Sequence, residues 1–106
     1  MKRTQTNNKY RDSGISVAPA ILNKGDTAHV RYQGLLANSG AEKVYVYVGY
    51  GGNWERAIDY KMVRTPNGFE AQVPVSAQNG LIICFHDNAN NWDNNSGQNY
   101  SFEVSR

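Results

Sequence analysis

Paired cysteines, long apolar runs and helix-forming stretches are all missing from this 106-residue chain, and past its first 11 residues so is clustered charge of one sign. The formal net charge is +2, and four of the 11 Lys and Arg (Lys2, Arg3, Lys9, Arg11) lie within the first 11 residues, so the rest carries no basic excess. Strong phosphate binding rests on clustered cations, so no nucleic-acid partner is expected. The lone Cys84 has no partner for an internal disulfide and says little about redox compartment. No apolar run approaches the length of a membrane span, so no membrane association is expected. The basic N-terminus lacks the apolar stretch of a signal peptide. The expectation is a cytoplasmic protein if the chain is complete, or a domain excised from a larger secreted one. Leu is scarce and no Ala/Glu/Lys/Leu-rich stretch occurs, which argues against a helical bundle. The length suits one domain with a modest core.

What is present is Gly (10), Tyr (7) and apolar alternation. Residues 1–13 are polar, without periodicity, and are predicted to be a disordered tail or linker; residues 14–106 form the folded module. Short strands are expected around Ile15–Val17, reaching toward Ala20-Ile21, and over Thr27–Tyr32, Lys43–Tyr50, Asp59–Arg64 with Met62 inward, Phe69–Val75, Leu81–Phe85 and Tyr100–Val104. Between them stand turn signals: Asn23-Lys24-Gly25-Asp26, the loop Gly34–Gly40, the break Gly51-Gly52-Asn53, Thr65-Pro66-Asn67-Gly68 and Asn79-Gly80. In Lys43–Tyr50, Val44, Val46 and Val48 share one face and Tyr45, Tyr47 and Gly49 the other. Leu81–Phe85 is apolar on both faces, as a covered central strand would be. The pattern is that of an all-β, antiparallel, immunoglobulin-like sandwich of about seven to nine short strands, with no helix longer than a turn.

The most informative stretch is Phe85–Tyr100, where Trp92 sits amid six Asn and two Asp. Asn and Asp bond their own backbone and favour turns, so neither helix nor core strand is expected there. An exposed indole among neutral amides suits a ligand with apolar C–H faces and many hydroxyls, which describes a sugar. Trp54, after Gly51-Gly52-Asn53, sits in a similar setting. Each Trp reads either as a stacking platform or as a cap on the end of the core. Tyr45, Tyr47 and Tyr50 offer a third platform, or else cross-strand packing. For His86, Asp87, Asp93 and Asp59, loop-fixing roles are preferred over acid–base catalysis, because a hydrolase needs two carboxylates across a scissile bond. His29 reads as an ordinary sheet residue, and Cys84 as buried and inert. The Asp/Asn loop fails the EF-hand pattern at Ala89 and Gln98, so no metal site and no cofactor are expected.

Several blocks carry a family resemblance: Gly34–Ala41, Val44–Tyr50, Trp54, Tyr60-Lys61-Met62, Cys84-Phe85-His86-Asp87 and Asn90-Asn91-Trp92-Asp93-Asn94-Asn95. Together they resemble the family 25 and related family 53 carbohydrate-binding modules, over about residues 15–105. The resemblance implies an antiparallel β-sandwich that binds starch and related α-1,4-glucans (glycogen, maltooligosaccharides) without cleaving them, tethered to or associated with an amylase or glucan synthase. The family's two binding Trp match Trp54 and Trp92. Its binding His aligns with Tyr47, a departure. Asn91, Asp93, Asn94 and Asn95 would supply polar contacts and loop scaffolding. Two other readings use the same aromatics: a single-stranded nucleic-acid binder stacking bases, and a protein-interaction domain.

Overall fold

The computed structural model describes residues 5–51, 53–77 and 79–105. Its strands are β1 (Ile15–Ala18), β2 (Leu22–Asn23), β3 (Thr27–Tyr32), β4 (Val44–Tyr50), β5 (Glu55–Lys61), β6 (Val63–Thr65), β7 (Gly68–Pro74), β8 (Leu81–Asp87), β9 (Trp92–Asp93), β10 (Tyr100–Phe102) and β11 (Val104–Ser105). One turn of helix, α1 (Leu35–Asn38), lies inside the expected Gly34–Gly40 loop. Two antiparallel sheets form an all-β sandwich, one in the order β1-β3-β7-β6, the other β10-β8-β4-β5 with β9 also on β8.

Alternation decides which side chains the layers bury. Successive residues of a strand face opposite sides, so β4 turns Val44, Val46 and Val48 into the core and leaves Tyr45 and Tyr47 half-buried on the outer face. The same parity corrects one expectation. Tyr50 is no platform; it is buried, and its hydroxyl donates to the Pro74 carbonyl. From the other layer, Val17, Val30, Phe69 and Val73 complete the core. In β8, central as expected, Leu81, Ile83 and Phe85 point inward.

Other departures have simple causes. Among the described residues there are eleven strand segments rather than seven to nine, because β2, β9 and β11 are two residues long and carry no readable alternation. β2 and β11 pair in parallel, Leu22 opposite Val104, as a small addition to an otherwise antiparallel fold. The single strand expected over Asp59–Arg64 is two. β5 pairs with β4, β6 pairs with β7, and the chain passes from one sheet to the other at buried Met62, whose N–H donates to the Val44 carbonyl at 2.9 Å.

Residues 5–13 of the expected tail lie against the sandwich. Asn7 bridges to Val17 on the edge of β1, Arg11–Ser13 form a 3-10 turn, and the Tyr10 ring packs edge-on against Tyr100 and Phe102 at 4.9 and 5.4 Å. The Tyr10 hydroxyl also accepts from the Ser101 N–H at 3.1 Å. Tyr10 is the aromatic contact that docks the segment, one that composition alone does not reveal. Residues 1–4 of the expected tail, and Gly52 of the expected break after β4, lie outside the described residues.

Candidate functional site: an aromatic face on one sheet

The outer face of the β10-β8-β4-β5 sheet gathers five rings. Tyr45 and Tyr47 come from β4, His86 from β8, Trp92 from β9, and Trp54 from the turn between β4 and β5. Tyr47 lies at the centre. Its ring stacks on Trp54 at 5.3 Å with planes 28° apart, and meets Trp92 edge-on at 6.1 Å and 89°. Both indoles therefore lie on one side of the molecule, and their planes are steeply inclined to each other. The surface continues through His86, 4.5 Å from Trp92, to Tyr45, stacked on the imidazole at 4.8 Å and 7°. Trp92 is 45% exposed, so it is no cap on the core; Trp54 is half-buried.

Trp54 is seated by the absence of a side chain beneath it. A Cβ on Gly49 would stand 2.5 Å from Trp54 Cε3 and 2.9 Å from its Cα. β4 also bulges here, its register with β5 shifting between Val48 and Tyr50. Gly49→Ala is expected to lift the indole off the sheet and to cost about 1–3 kcal/mol, the usual scale of overpacking. A red-shifted indole emission together with a lowered thermal midpoint checks this; unchanged emission and melting would show that the contact is not constraining.

Trp92 is held by its neighbour. In the two-residue β9, paired with Phe85 and His86, Trp92 faces outward and Asp93 inward. Asp93 is only 7% exposed. Its Oδ2 accepts from the Tyr32 hydroxyl at 2.6 Å and its Oδ1 from the Tyr100 hydroxyl at 2.7 Å. The Tyr32 oxygen also accepts from the Leu36 N–H at 3.0 Å, tying α1 to the same point. Burial first, and the Asp93 carboxylate second, push both phenols well above the usual tyrosine range. Of the two roles expected for Asp93, polar contact and loop scaffolding, the geometry matches the second: both its oxygens are bonded inside the core. β9 is a two-residue pairing within a stretch expected to hold neither helix nor core strand.

The loops on either side are built by the Asn and Asp side chains. The Asp87 carboxylate accepts from the Ala89 and Asn91 N–H groups and from the Asn91 amide, each at 2.9 Å. These bonds, the Asn91 amide first, hold its carboxyl below the usual range. Asn90, at φ 65°, accepts from the Trp92 indole N–H at 3.2 Å. Beyond β9, Asn94 Oδ1 accepts from the Gly97 N–H, and the Asn95 amide donates to the Asn99 carbonyl, both at 3.0 Å. Asn95 and Asn99 hold φ of 56° and 61°, the left-handed region that Asn tolerates better than most residues. Asn91, Asn94 and Asn95 each keep one half of the amide without a bond among the described residues. They do not converge on one point. Asn91 lines one cleft beside Trp92, and Asn94 and Asn95 line the other.

Two residues of the face were not singled out as ligand contacts from sequence. His86 Nε2–H donates to the Asp59 carboxylate, both oxygens of which lie at 2.8 Å, and this fixes the imidazole between Tyr45 and Trp92. Asp59 reaches it from β5, opposite Tyr47. The signal was parity in β8, which sends Ile82, Cys84 and His86 to the outer face. Cys84, opposite Tyr47, is buried beneath the rings, and burial pushes its thiol up to about 11. Among the described residues no three His, Cys, Asp or Glu side chains converge as a metal site would require.

Among known families, the model described as starch/carbohydrate-binding module (family 53) matches residues 28–82. That span holds Tyr47, Trp54 and Asp59 and ends inside β8, before Trp92. No curated protein and no solved structure matches the chain.

Proposed function

The chain belongs to the starch/carbohydrate-binding modules of family 53, and from that premise we propose that its aromatic face binds α-1,4-glucan chains without cleaving them. One observation carries this reading: Trp54 and Trp92 lie against the same tyrosine with steeply inclined planes. An α-1,4 chain is curved, so neighbouring glucose units present their apolar faces at different inclinations. A bent pair of indoles suits that curve better than a flat one. Rigid rings supply large contact area at small entropic cost. Tyr47 fills the angle between the indoles, in the role the family gives to a histidine. His86 is bonded at both ring nitrogens, Nε2 to the Asp59 carboxylate and Nδ1 to the Asp87 carbonyl, and so orients the face; the Tyr45 and Tyr47 hydroxyls, which make no bond among the described residues, can exchange hydrogen bonds with sugar hydroxyls. Asn91, Asn94 and Asn95 offer their unbonded amide halves at the margin.

A purely binding role agrees with the state of the carboxylates. Asp59 is bonded to His86, Asp87 is consumed by its own loop, and Asp93 is sealed in the core. Glycoside hydrolysis requires two carboxyls flanking the bond to be cut. The natural partner of such a module is starch, glycogen or a maltooligosaccharide, with an amylase or glucan synthase tethered to it or recruited by it.

Open, hydrated sites of this kind bind short oligosaccharides at micromolar to millimolar concentrations, about 4 to 8 kcal/mol. Migration through a native gel containing soluble starch is expected to be retarded. The retardation should be nearly the same at low and high salt, since a neutral sugar releases no counterions. Unretarded migration overturns the reading. Tight, salt-sensitive binding of an oligonucleotide would put a base-stacking surface in its place.

A further inference from the structure

Trp92 belongs to more than the aromatic face. It also borders two open clefts, of ≈ 530 Å³ and ≈ 660 Å³, that flank it at the edge of the sheet. The two differ in the polar side chains that line them. In the larger, the Asp87 carboxylate and the Asn91 amide nitrogen are bonded to each other and the Ser39 hydroxyl donates to the Leu35 carbonyl at 2.8 Å, while the exposed Glu42 carboxylate and Asn88 amide make no bond among the described residues. In the smaller, Gln33 and Asn38, at the two ends of the α1 segment, are exposed, and their side-chain amides make no bond among the described residues. Asn94 joins them with its amide nitrogen unengaged.

We propose that the smaller cleft is an additional glucan subsite, so that a chain stacked on Trp92 runs off the aromatic face and places its next glucose units against Gln33, Asn38 and Asn94. The inference rests on the glucan reading above and adds to it a length requirement. Free amides are donors and acceptors at once, which matches the vicinal hydroxyls of a glucose unit, and unengaged exposed amides lose nothing internal when they turn to a ligand. Leu35, 60% exposed beside Trp92 in the same cleft, gives an apolar patch for the sugar's C–H face.

The test is calorimetric titration of the whole chain with maltotriose and with maltoheptaose, on the parent, on Gln33→Ala/Asn38→Ala, and on Trp54→Ala. Asn94 is left intact because its oxygen holds the following turn. The double variant is expected to bind maltoheptaose about five- to ten-fold more weakly than the parent, the scale of one net hydrogen bond, and to bind maltotriose unchanged. Trp54→Ala should weaken both sugars. If the double variant follows the parent on both sugars while Trp54→Ala loses both, the subsite is wrong and the glucan face stands. If the parent binds neither sugar, both fall. A loss by the double variant on maltotriose equal to that on maltoheptaose also overturns the subsite, because it removes the length dependence.

Discussion

Trp92→Ala is expected to abolish retardation in starch gels, with the Kd for maltoheptaose rising about 30-fold or more, the equivalent of about 2 kcal/mol. The size of the effect follows from position. Trp92 is the most exposed ring of the face and touches both Tyr47 and His86, so its loss removes contact area and opens a gap between its neighbours. Trp54→Ala should be comparable for starch, because either indole alone leaves a single inclined surface. Trp92→Phe separates stacking from bulk, since it keeps a ring and loses the bond to Asn90; it should restore part of the affinity. Thermal melting within a few degrees of the parent is needed alongside, because the outer face contributes little to the core. A Trp92→Ala protein that still binds starch like the parent would remove the basis for the glucan reading.

Asp93→Ala should be the most destabilising polar substitution in the molecule, on the order of 3 kcal/mol or more, because it strands the buried hydroxyls of Tyr32 and Tyr100 together. It should also weaken glucan binding, because β9 loses its inward anchor and Trp92 its fixed place. Chemical denaturation and starch-gel migration measured on the same preparation check both halves; a stability within 1 kcal/mol of the parent would contradict the anchoring role. The same phenols give a pH signature. Their folded values lie above the ordinary 10.0, so below pH 10 both folded and unfolded chains keep them protonated and this part of the stability is fully present. Above pH 10 the unfolded chain releases those protons and the folded one does not, so stability must fall as pH rises. Tyr32→Phe should blunt that alkaline loss.

The strands of the core were legible because their alternation is long enough to read. Thr27–Tyr32 and Val44–Tyr50 carry six and seven residues of it, and the structure reproduces both within a residue. The chain's change of sheet at Met62 was not legible, since Asp59–Arg64 reads as one run whichever sheet pairs with each half. Nor was the seating of Tyr10, a contact with residues some ninety positions away. At the site, the two Trp stood out because large rings in polar turns are conspicuous. His86 did not, because its role depends on the register that sets Tyr45 opposite it and Tyr47 opposite Cys84. The Asp and Asn of the loop all looked alike in sequence. Their roles as buried anchor, loop clasp or turn former diverge only through which way each faces.

Adjacent residues of β9 meet opposite environments, and this limits how the chain can vary in length. A residue inserted between Trp92 and Asp93 would shift one of them by a position and turn it to the wrong side of the sheet. Extra residues among 88–90 or 96–98 fall in exposed turns and leave that pairing alone. Descendants of this chain can therefore lengthen or shorten the rim on either side to suit a new polysaccharide, while the dipeptide itself stays contiguous.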